Sequence, residues 1–266
     1  MNSKDAIGIF DSGIGGLTVG NQIAKLMPNE QIIYFGDTKH LPYGDKSKDA
    51  IIHYSKNITN FLLNKRCKMI VVACNTASAL AFEAVQELCH QKAIAVNVID
   101  PVIDFTSTSK AHSVGIIGTK NTITSSVYAS KINRQCPGVK TKSLATPLLV
   151  PMIEEGFYQN KISNTILSNY LEKIELKDID HLILGCTHYP LIEDEIKQYY
   201  KGGVEIVNSA KIVSKYIEKK LSAANLLNQS ASILPHEFHV SDFTDSFEQS
   251  AQHFFGERIN LKETRF

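Results

Sequence analysis

The sequence predicts an α/β fold of two pseudo-symmetric lobes, each a mostly parallel sheet covered by helices, with a functional cleft between the lobes. Short apolar, β-branched runs alternate with longer helical patterns, as is typical of parallel sheets with helices on both faces. The pattern starts again at Ser113, in a run that resembles the one at Ala6 in hydropathy and in its polar end. A chain of 266 residues is long enough for two units of ordinary domain size.

The first half of the chain contains strands and helices in strict alternation. The predicted strands are Ala6–Phe10, Gln31–Phe35, Met69–Ala73 and Ala95–Ile99. The predicted helices follow the turn at residues 11–16 as far as Leu26, and then cover Lys48–Leu63 and Thr76–Cys89. Ligands bind at the carboxyl ends of strands in such sheets, so Asp11, Asp37, Cys74 and Cys186 are well placed for function.

The second half repeats this organisation. A strand is predicted at Ser113–Thr119, and Cys186 lies 72 positions after Val114, much as Cys74 lies 67 positions after Ile7. An amphipathic helix at 209–227, and a strand and helix within 237–256, are expected to pack back on the first lobe. We therefore expect residues 1–98 with 209–266 to form the first lobe and residues 99–208 to form the second.

Two cysteines are the most informative residues. Cys74 and Cys186 each follow a buried-strand pattern and precede small and hydroxyl residues that open a helix. The positive end of a helix dipole should lower the pKa of such a thiol. A lone buried cysteine is usually a small hydrophobe, and we interpret the three others, Cys67, Cys89 and Cys136, in that way. Two matched strand-end thiols instead suit moving a proton from one face of a carbon atom to the other.

Asp11 and His188 are the candidates for acid–base residues that would act beside the two cysteines. Asp11 could cap a helix or accept a proton near Cys74, and a carboxylate can do both. His188 could be an ordinary first-turn residue before Pro190, but a histidine beside a thiol at a strand end is more often a general acid or base.

Other polar segments leave alternatives open. The loop at residues 11–16 could cradle a phosphate, but it is not G-x-G-x-x-G, and its glycines could serve only the tight turn. The loop at residues 35–47 could be a turn or an anion site. His236 and His239 lack the spacing of a helical zinc pair, and we expect them in a surface loop, with no metal bound.

Composition excludes several classes of function. The net charge of +1 gives no basic field for nucleic acid or an anionic membrane. No apolar run approaches the length of a membrane span, and the N-terminus has no signal-peptide pattern. The five cysteines are irregularly spaced without a C-x-x-C pair, which indicates a reducing compartment and hence the cytoplasm.

Four motifs, in order along the chain, resemble those of the glutamate racemases, which belong to the cofactor-independent aspartate/glutamate racemase family. They are Phe-Asp-Ser-Gly-Ile-Gly-Gly-Leu-Thr at 10–18, Tyr-Phe-Gly-Asp-Thr at 34–38 with Leu-Pro-Tyr-Gly at 41–44, Ala-Cys-Asn-Thr-Ala-Ser at 73–78, and Leu-Gly-Cys-Thr-His-Tyr-Pro-Leu at 184–191. The resemblance extends from Ile7 to about Gly256. The segment 150–156, which contains Glu154, also resembles a family segment.

The resemblance implies roles by position. Cys74 would deprotonate D-glutamate with help from Asp11, and Cys186 would deprotonate L-glutamate with help from His188. The residues expected to bind the substrate are Asp11, Ser12, Tyr43, Gly44, Asn75, Thr76, Thr187 and His188, joined by Thr119 and Thr122 from the second lobe. It further implies a cytoplasmic homodimer that needs no cofactor and supplies D-glutamate for peptidoglycan.

Two other classes of function remain open at this point. A relative in the same superfamily could act on aspartate or a hydantoin, since the length of the side-chain pocket cannot be deduced from one sequence. A non-catalytic binding protein could use the same scaffold, because a fold does not determine a function. The presence of both Cys74 and Cys186 argues against the second class.

Overall fold

The computed structural model describes residues 1–230 and 234–265, and within them ten strands form two sheets. The strands are β1 (Ile7–Asp11), β2 (Ile32–Gly36), β3 (Met69–Val72), β4 (Ile94–Asn97), β5 (Ser113–Gly118), β6 (Lys140–Ala145), β7 (His181–Gly185), β8 (Glu205–Val207), β9 (Glu237–Val240) and β10 (Leu261–Glu263). Every strand pair in this part of the chain is parallel.

Helices connect most of the strands. They are α1 (Leu17–Leu26), α2 (Lys48–Asn64), α3 (Asn75–Leu80), α4 (Phe82–Cys89), α5 (Asp100–Thr108), α6 (Lys120–Thr124), α7 (Val127–Gln135), α8 (Leu149–Glu154), α9 (Lys161–Leu171), α10 (Glu193–Tyr200), α11 (Ser209–Ala223) and α12 (Asp245–Phe255). Short 3₁₀ turns lie at Thr38–His40, Tyr43–Asp45, Ile174–Leu176 and Tyr189–Ile192. Among these described helices, none is both long and apolar enough to cross a membrane.

The order of strands reveals the internal repeat. The first sheet has the order β10-β9-β2-β1-β3-β4 and the second β6-β5-β7-β8. The segment β2-β1-β3-β4 thus corresponds to β6-β5-β7-β8, which makes β3 and β7 equivalent strands. The predicted fold class, two lobes with parallel sheets covered by helices, is confirmed.

Burial explains why the central strands are continuous apolar runs. All residues of β1, β2 and β3 are buried, because helices cover both faces of a parallel sheet. Side chains at the helix starts satisfy backbone N–H groups that have no partner within the helix. Ser47 caps α2 and Thr244 caps α12, which ends at Gly256 with a positive φ of 85°.

The two lobes share packing as well as topology. Helix α11 packs against both α1 and α5. A single apolar cluster includes Ile9 of β1, Leu182 of β7 and Ile217 of α11. The lobe boundaries at residues 98 and 208 stay a prediction, although all strands of the first sheet lie within 7–97 and 237–263.

Three details differ from the sequence-based expectations. The helix predicted over Thr76–Cys89 is interrupted at Ala81, a buried residue with a non-helical φ of −124°, and nothing in the local sequence marks the break. The helix predicted to end at Leu227 ends at Ala223. His239 does not lie in a surface loop: it is a buried residue of β9, because β2 and the short strand β10 flank β9 on both sides.

A buried ion pair and the hydrogen bonds of its lysine join four separate segments of the chain. The Lys68 Nζ atom lies 2.6 Å from Glu30 Oε2 and donates to the carbonyl oxygens of Ser3 and Leu226 at 2.5 and 2.8 Å. Both charged side chains are essentially inaccessible to solvent. Removing one partner would leave the other charge buried and uncompensated, which is far more costly than losing an exposed pair.

We therefore expect Lys68→Met to lower the free energy of unfolding by about 3 kcal/mol. The matched control is Lys65→Met, which removes the half-exposed pair with Glu237 and should cost less than about 1 kcal/mol. Urea denaturation of both variants measures the difference. Equal losses of stability in the two variants would show that the buried pair stabilises the fold no more than the exposed pair does.

Candidate functional site

Cys74 and Cys186 line one small cavity at the carboxyl ends of the two sheets. Cys74 follows β3 and Cys186 follows the equivalent strand β7, and both are about 6% exposed. The cavity has a volume of about 50 Å³ and is lined by Ser12, Gly13, Leu41, Pro42, Tyr43, Gly44, Cys74, Asn75, Thr76, Thr119, Val150, Glu154, Cys186, Thr187 and His188. Most of the predicted site residues therefore lie together, and the lining contains no lysine or arginine.

The Cys74 thiol lies where a helix begins. Its sulfur accepts from the backbone N–H of Ala77 at 3.4 Å and donates to Ser12 Oγ at 3.6 Å. Burial and the nearby Asp11 carboxylate nevertheless raise the pKa of Cys74 to about 12. The N–H of Ala77 at the helix terminus acts in the predicted direction, but it cannot offset both effects, so the prediction of a lowered pKa is wrong for Cys74. Cys74 is therefore a neutral thiol at rest.

Asp11 is the last residue of β1 and is fully buried. One carboxylate oxygen accepts from the backbone N–H of Gly13 at 3.1 Å, and the other faces the Thr187 hydroxyl at 3.5 Å. Burial raises the pKa of Asp11, while the charge of His188 and the backbone N–H groups act in the opposite direction. Asp11 thus lies between the two halves of the site, where a carboxylate can hold or pass a proton.

On the opposite side, Cys186, His188 and Glu154 form a chain of contacts. The His188 Nδ1 atom is 3.7 Å from Cys186 Sγ, and its Nε2 atom is 2.9 Å from Glu154 Oε1. Burial lowers the pKa of His188, but the hydrogen bonds to Cys186 and Glu154 outweigh it and raise this pKa to about 10. A protonated imidazole therefore places a positive charge beside the Cys186 sulfur at neutral pH.

Close packing fixes the His188 ring. It packs edge to face against the ring of Phe254 in α12, with the ring centroids 5.2 Å apart. At Gly15, a Cβ atom would lie 2.4 Å from His188 Cε1 and 2.5 Å from Thr187 Oγ1. Only glycine lets the loop after β1 approach these side chains so closely, which explains one glycine of the 11–16 loop.

Donors and acceptors from both lobes surround the thiols. The hydroxyls of Thr76, Thr119 and Thr122 lie within 2.9–3.2 Å of one another and join the two lobes. Asn75 Oδ1 accepts from Tyr128, whereas its Nδ2 atom is buried with no hydrogen-bond partner in the described residues. That amide nitrogen is a donor available to a ligand.

Tyr43 and Gly44 border the cavity from the loop after β2. The Tyr43 hydroxyl donates to Asp37 Oδ2 at 2.6 Å, so this side of the phenol is already engaged within the protein. Burial and the charge of Asp37 raise the pKa of Tyr43, which keeps it protonated. At Gly44 the lobes are in contact: a Cβ atom there would lie 3.1 Å from Thr119 Cβ.

Sequence reasoning missed two contacts of the site. The sequence of the segment 150–156 shows only a resemblance to a family segment, whereas the structure shows Glu154 paired with His188. Tyr128 had no motif to mark it, since its partner Asn75 is far away in sequence and its helix shows only an amphipathic pattern. Across the described residues, no group of three or more His, Cys, Asp or Glu side chains is arranged to hold a metal ion.

Comparisons with known proteins extend over almost the whole chain. The profile of the Asp/Glu/Hydantoin racemase family matches residues 20–217. A glutamate racemase of Geobacter metallireducens is 40% identical over 255 residues, which cover 96% of this chain and 94% of that protein. The crystal structure of glutamate racemase from Francisella tularensis in complex with D-glutamate superposes with a TM-score of 0.91 at 36% identity, covering 98% of each chain. A glutamate racemase isoform from Bacillus anthracis gives a TM-score of 0.93 at 32% identity, covering 100% of this chain and 99% of that one.

The contact between His188 and Glu154 should make stability depend on pH. Because the pKa of His188 is raised from 6.5 to about 10, its contribution is complete below pH 6.5 and is lost as the pH rises through about 10. Glu154→Gln should weaken this contribution by about 1 kcal/mol, since the carboxylate is one-third exposed. The free energy of unfolding, measured from pH 6 to 10, should therefore decline less steeply with pH in the Glu154→Gln variant than in the wild type.

Glu155→Gln is the matched control, because Glu155 is the next residue and is exposed. It should leave the pH dependence as in the wild type. A decline that is as steep in Glu154→Gln as in the wild type would mean that Glu154 does not stabilise the protonated ring.

Proposed function

The chain belongs to the Asp/Glu/hydantoin racemase family, and from that premise we propose that it interconverts L-glutamate and D-glutamate by proton transfer between two cysteines. One observation carries the proposal: equivalent strands of two parallel sheets deliver Cys74 and Cys186 to a single cavity. A binding protein would have no need of two thiols at matched positions. The glutamate racemases to which the chain is similar support glutamate as the substrate.

The environments of the two thiols suit the direction from L- to D-glutamate. In this proposal the Cys186 thiolate, beside protonated His188, removes the α-proton and becomes a thiol. The electron pair of the broken C–H bond is delocalised into the α-carboxylate. The Cys74 thiol then delivers its proton to the opposite face and becomes a thiolate. The reverse reaction uses the same groups with their roles exchanged, so the protonation states belong to the pair.

The surroundings favour this difficult proton transfer. The α-hydrogen of an amino acid is very weakly acidic, and negative charge builds up on the carboxylate as the proton leaves. Fixed donors in a cavity that excludes water stabilise such a charge more strongly than water does. Asn75 Nδ2 has no protein partner and is such a donor, and the hydroxyls of Ser12, Thr76 and Thr187 line the same cavity. Asp11 would assist Cys74, since its charge acts on that thiol.

We also propose a biological setting on the strength of the family. D-glutamate is a component of the peptide stem of peptidoglycan in bacteria, so a glutamate racemase of a bacterium would serve cell-wall synthesis in the cytoplasm. A homodimer stays a prediction. Aspartate is the second substrate to be tested, because aspartate racemases share the family.

The proposal predicts both the substrate and the essential residues. The protein is incubated with L-glutamate or L-aspartate at equal concentration and followed by circular dichroism. The ellipticity of L-glutamate should decay, and it should decay faster than that of L-aspartate. Cys74→Ala and Cys186→Ala should each lower racemisation by about 1,000-fold or more, because each removes an acid–base group.

Cys89→Ala is the control, since Cys89 is also buried but lies at the end of α4, outside the cavity. It should keep most of the activity. Faster racemisation of aspartate than of glutamate would make aspartate the substrate. Full activity in Cys74→Ala or in Cys186→Ala would exclude the two-cysteine mechanism.

A further inference from the structure

Tyr128 connects the two cysteine-bearing turns. It is a buried residue of α7, on the side of the second sheet, yet its hydroxyl donates to Asn75 Oδ1 at 2.7 Å. Asn75 directly follows Cys74 and is the first residue of α3. The bond therefore crosses from one half of the site to the other.

The ring of Tyr128 also lies against the second turn. A Cβ atom at Gly185 would be 3.6 Å from Tyr128 Cε2, an ordinary van der Waals distance. Gly185 directly precedes Cys186, so the Tyr128 side chain lies beside the residues that adjoin both thiols. Tyr128 belongs to the apolar cluster that contains Ile99, Ile183 and Val207, which holds the ring in place.

This contact determines which way the Asn75 amide faces. Burial is the main cause that raises the pKa of Tyr128, so its hydroxyl stays protonated and acts as a donor. Only the amide oxygen can accept that proton, and the amide nitrogen must then face away from Tyr128. The Asn75 Nδ2 atom is buried and has no hydrogen-bond partner in the described residues, while Asn75 lines the cavity. An unpaired buried donor of this kind is costly unless a ligand pairs with it.

We propose that Tyr128 is a positioning residue: its hydroxyl locks the Asn75 amide so that Nδ2 donates to a carboxylate oxygen of the amino-acid substrate. This inference rests on the proposed racemase function and adds a residue to it. Without the hydroxyl, the amide loses the partner that orients it and can rotate by half a turn, which presents its oxygen to the anionic substrate.

The test is a double-mutant cycle on glutamate racemisation. Tyr128→Phe keeps the ring and removes only the hydroxyl, and it should lower kcat/KM by about tenfold through the weakened donor. Asn75→Ala should lower it at least as much. Because Tyr128 acts through Asn75, the kcat/KM of the double variant should lie within about threefold of that of Asn75→Ala.

The matched control is Tyr170→Phe. Tyr170 is another buried tyrosine whose hydroxyl is hydrogen-bonded, to the Leu148 backbone N–H at 3.2 Å, but it lies outside the cavity lining. It should leave kcat/KM within about twofold, while both Tyr→Phe variants lose comparable thermal stability.

Three results would overturn the role of Tyr128: unchanged kcat/KM in Tyr128→Phe, a full additional tenfold loss in the double variant, or an equal loss in Tyr170→Phe. The failure of the proposed function looks different, since the wild type itself would then not racemise glutamate. The same cycle would in that case be run with aspartate, which offers the same α-carboxylate to Asn75.

Discussion

The site depends on one constraint: the carboxyl ends of β3 and β7 must meet across the cleft between two sheets. Each sheet alone places one cysteine at a strand end, and neither alone can reach both faces of a carbon atom. Helix α11, packed on α1 and α5, and the apolar cluster shared by the two lobes hold the sheets in this relation. The three threonine hydroxyls of Thr76, Thr119 and Thr122 join the lobes again at the cavity itself.

The repeat makes the two strand ends equivalent, but their electrostatic surroundings are not. Cys74 has a carboxylate and a hydroxyl nearby, and the pKa of its thiol is raised to about 12. Cys186 faces an imidazole whose pKa is raised to about 10 by its bonds to Cys186 and Glu154. One thiol is thus kept protonated while the other has a positive partner. The proposed two-cysteine mechanism needs one acid and one base at any moment, and this difference between the two surroundings is what such a mechanism requires.

The sequence was sufficient for the fold because hydrophobic periodicity and the positions of Cys74 and Cys186 are local signals. It was less reliable wherever tertiary contacts decide. His239 is buried and not in the expected surface loop, because the three-residue strand β10 pairs with β9, and a strand so short and so charged leaves no recognisable pattern in the sequence. The pKa of Cys74 is raised and not lowered for a similar reason: the helix terminus is visible in the sequence, whereas the burial of the thiol is not. Glu154 and Tyr128 are far in sequence from their partners, and no spacing rule could pair them.

The central claim is that each thiol serves one face of the α-carbon. Hydrogen exchange in deuterium oxide, followed by NMR of the α-position, tests it most directly. If each thiol serves one face, Cys186 in the Cys74→Ala variant can still remove the α-proton of L-glutamate, so L-glutamate should exchange slowly for deuterium without inversion, while D-glutamate should not exchange. Cys186→Ala should show the reverse preference. Exchange of the same enantiomer in both variants, or of both enantiomers in either one, would contradict the assignment of one thiol to each face.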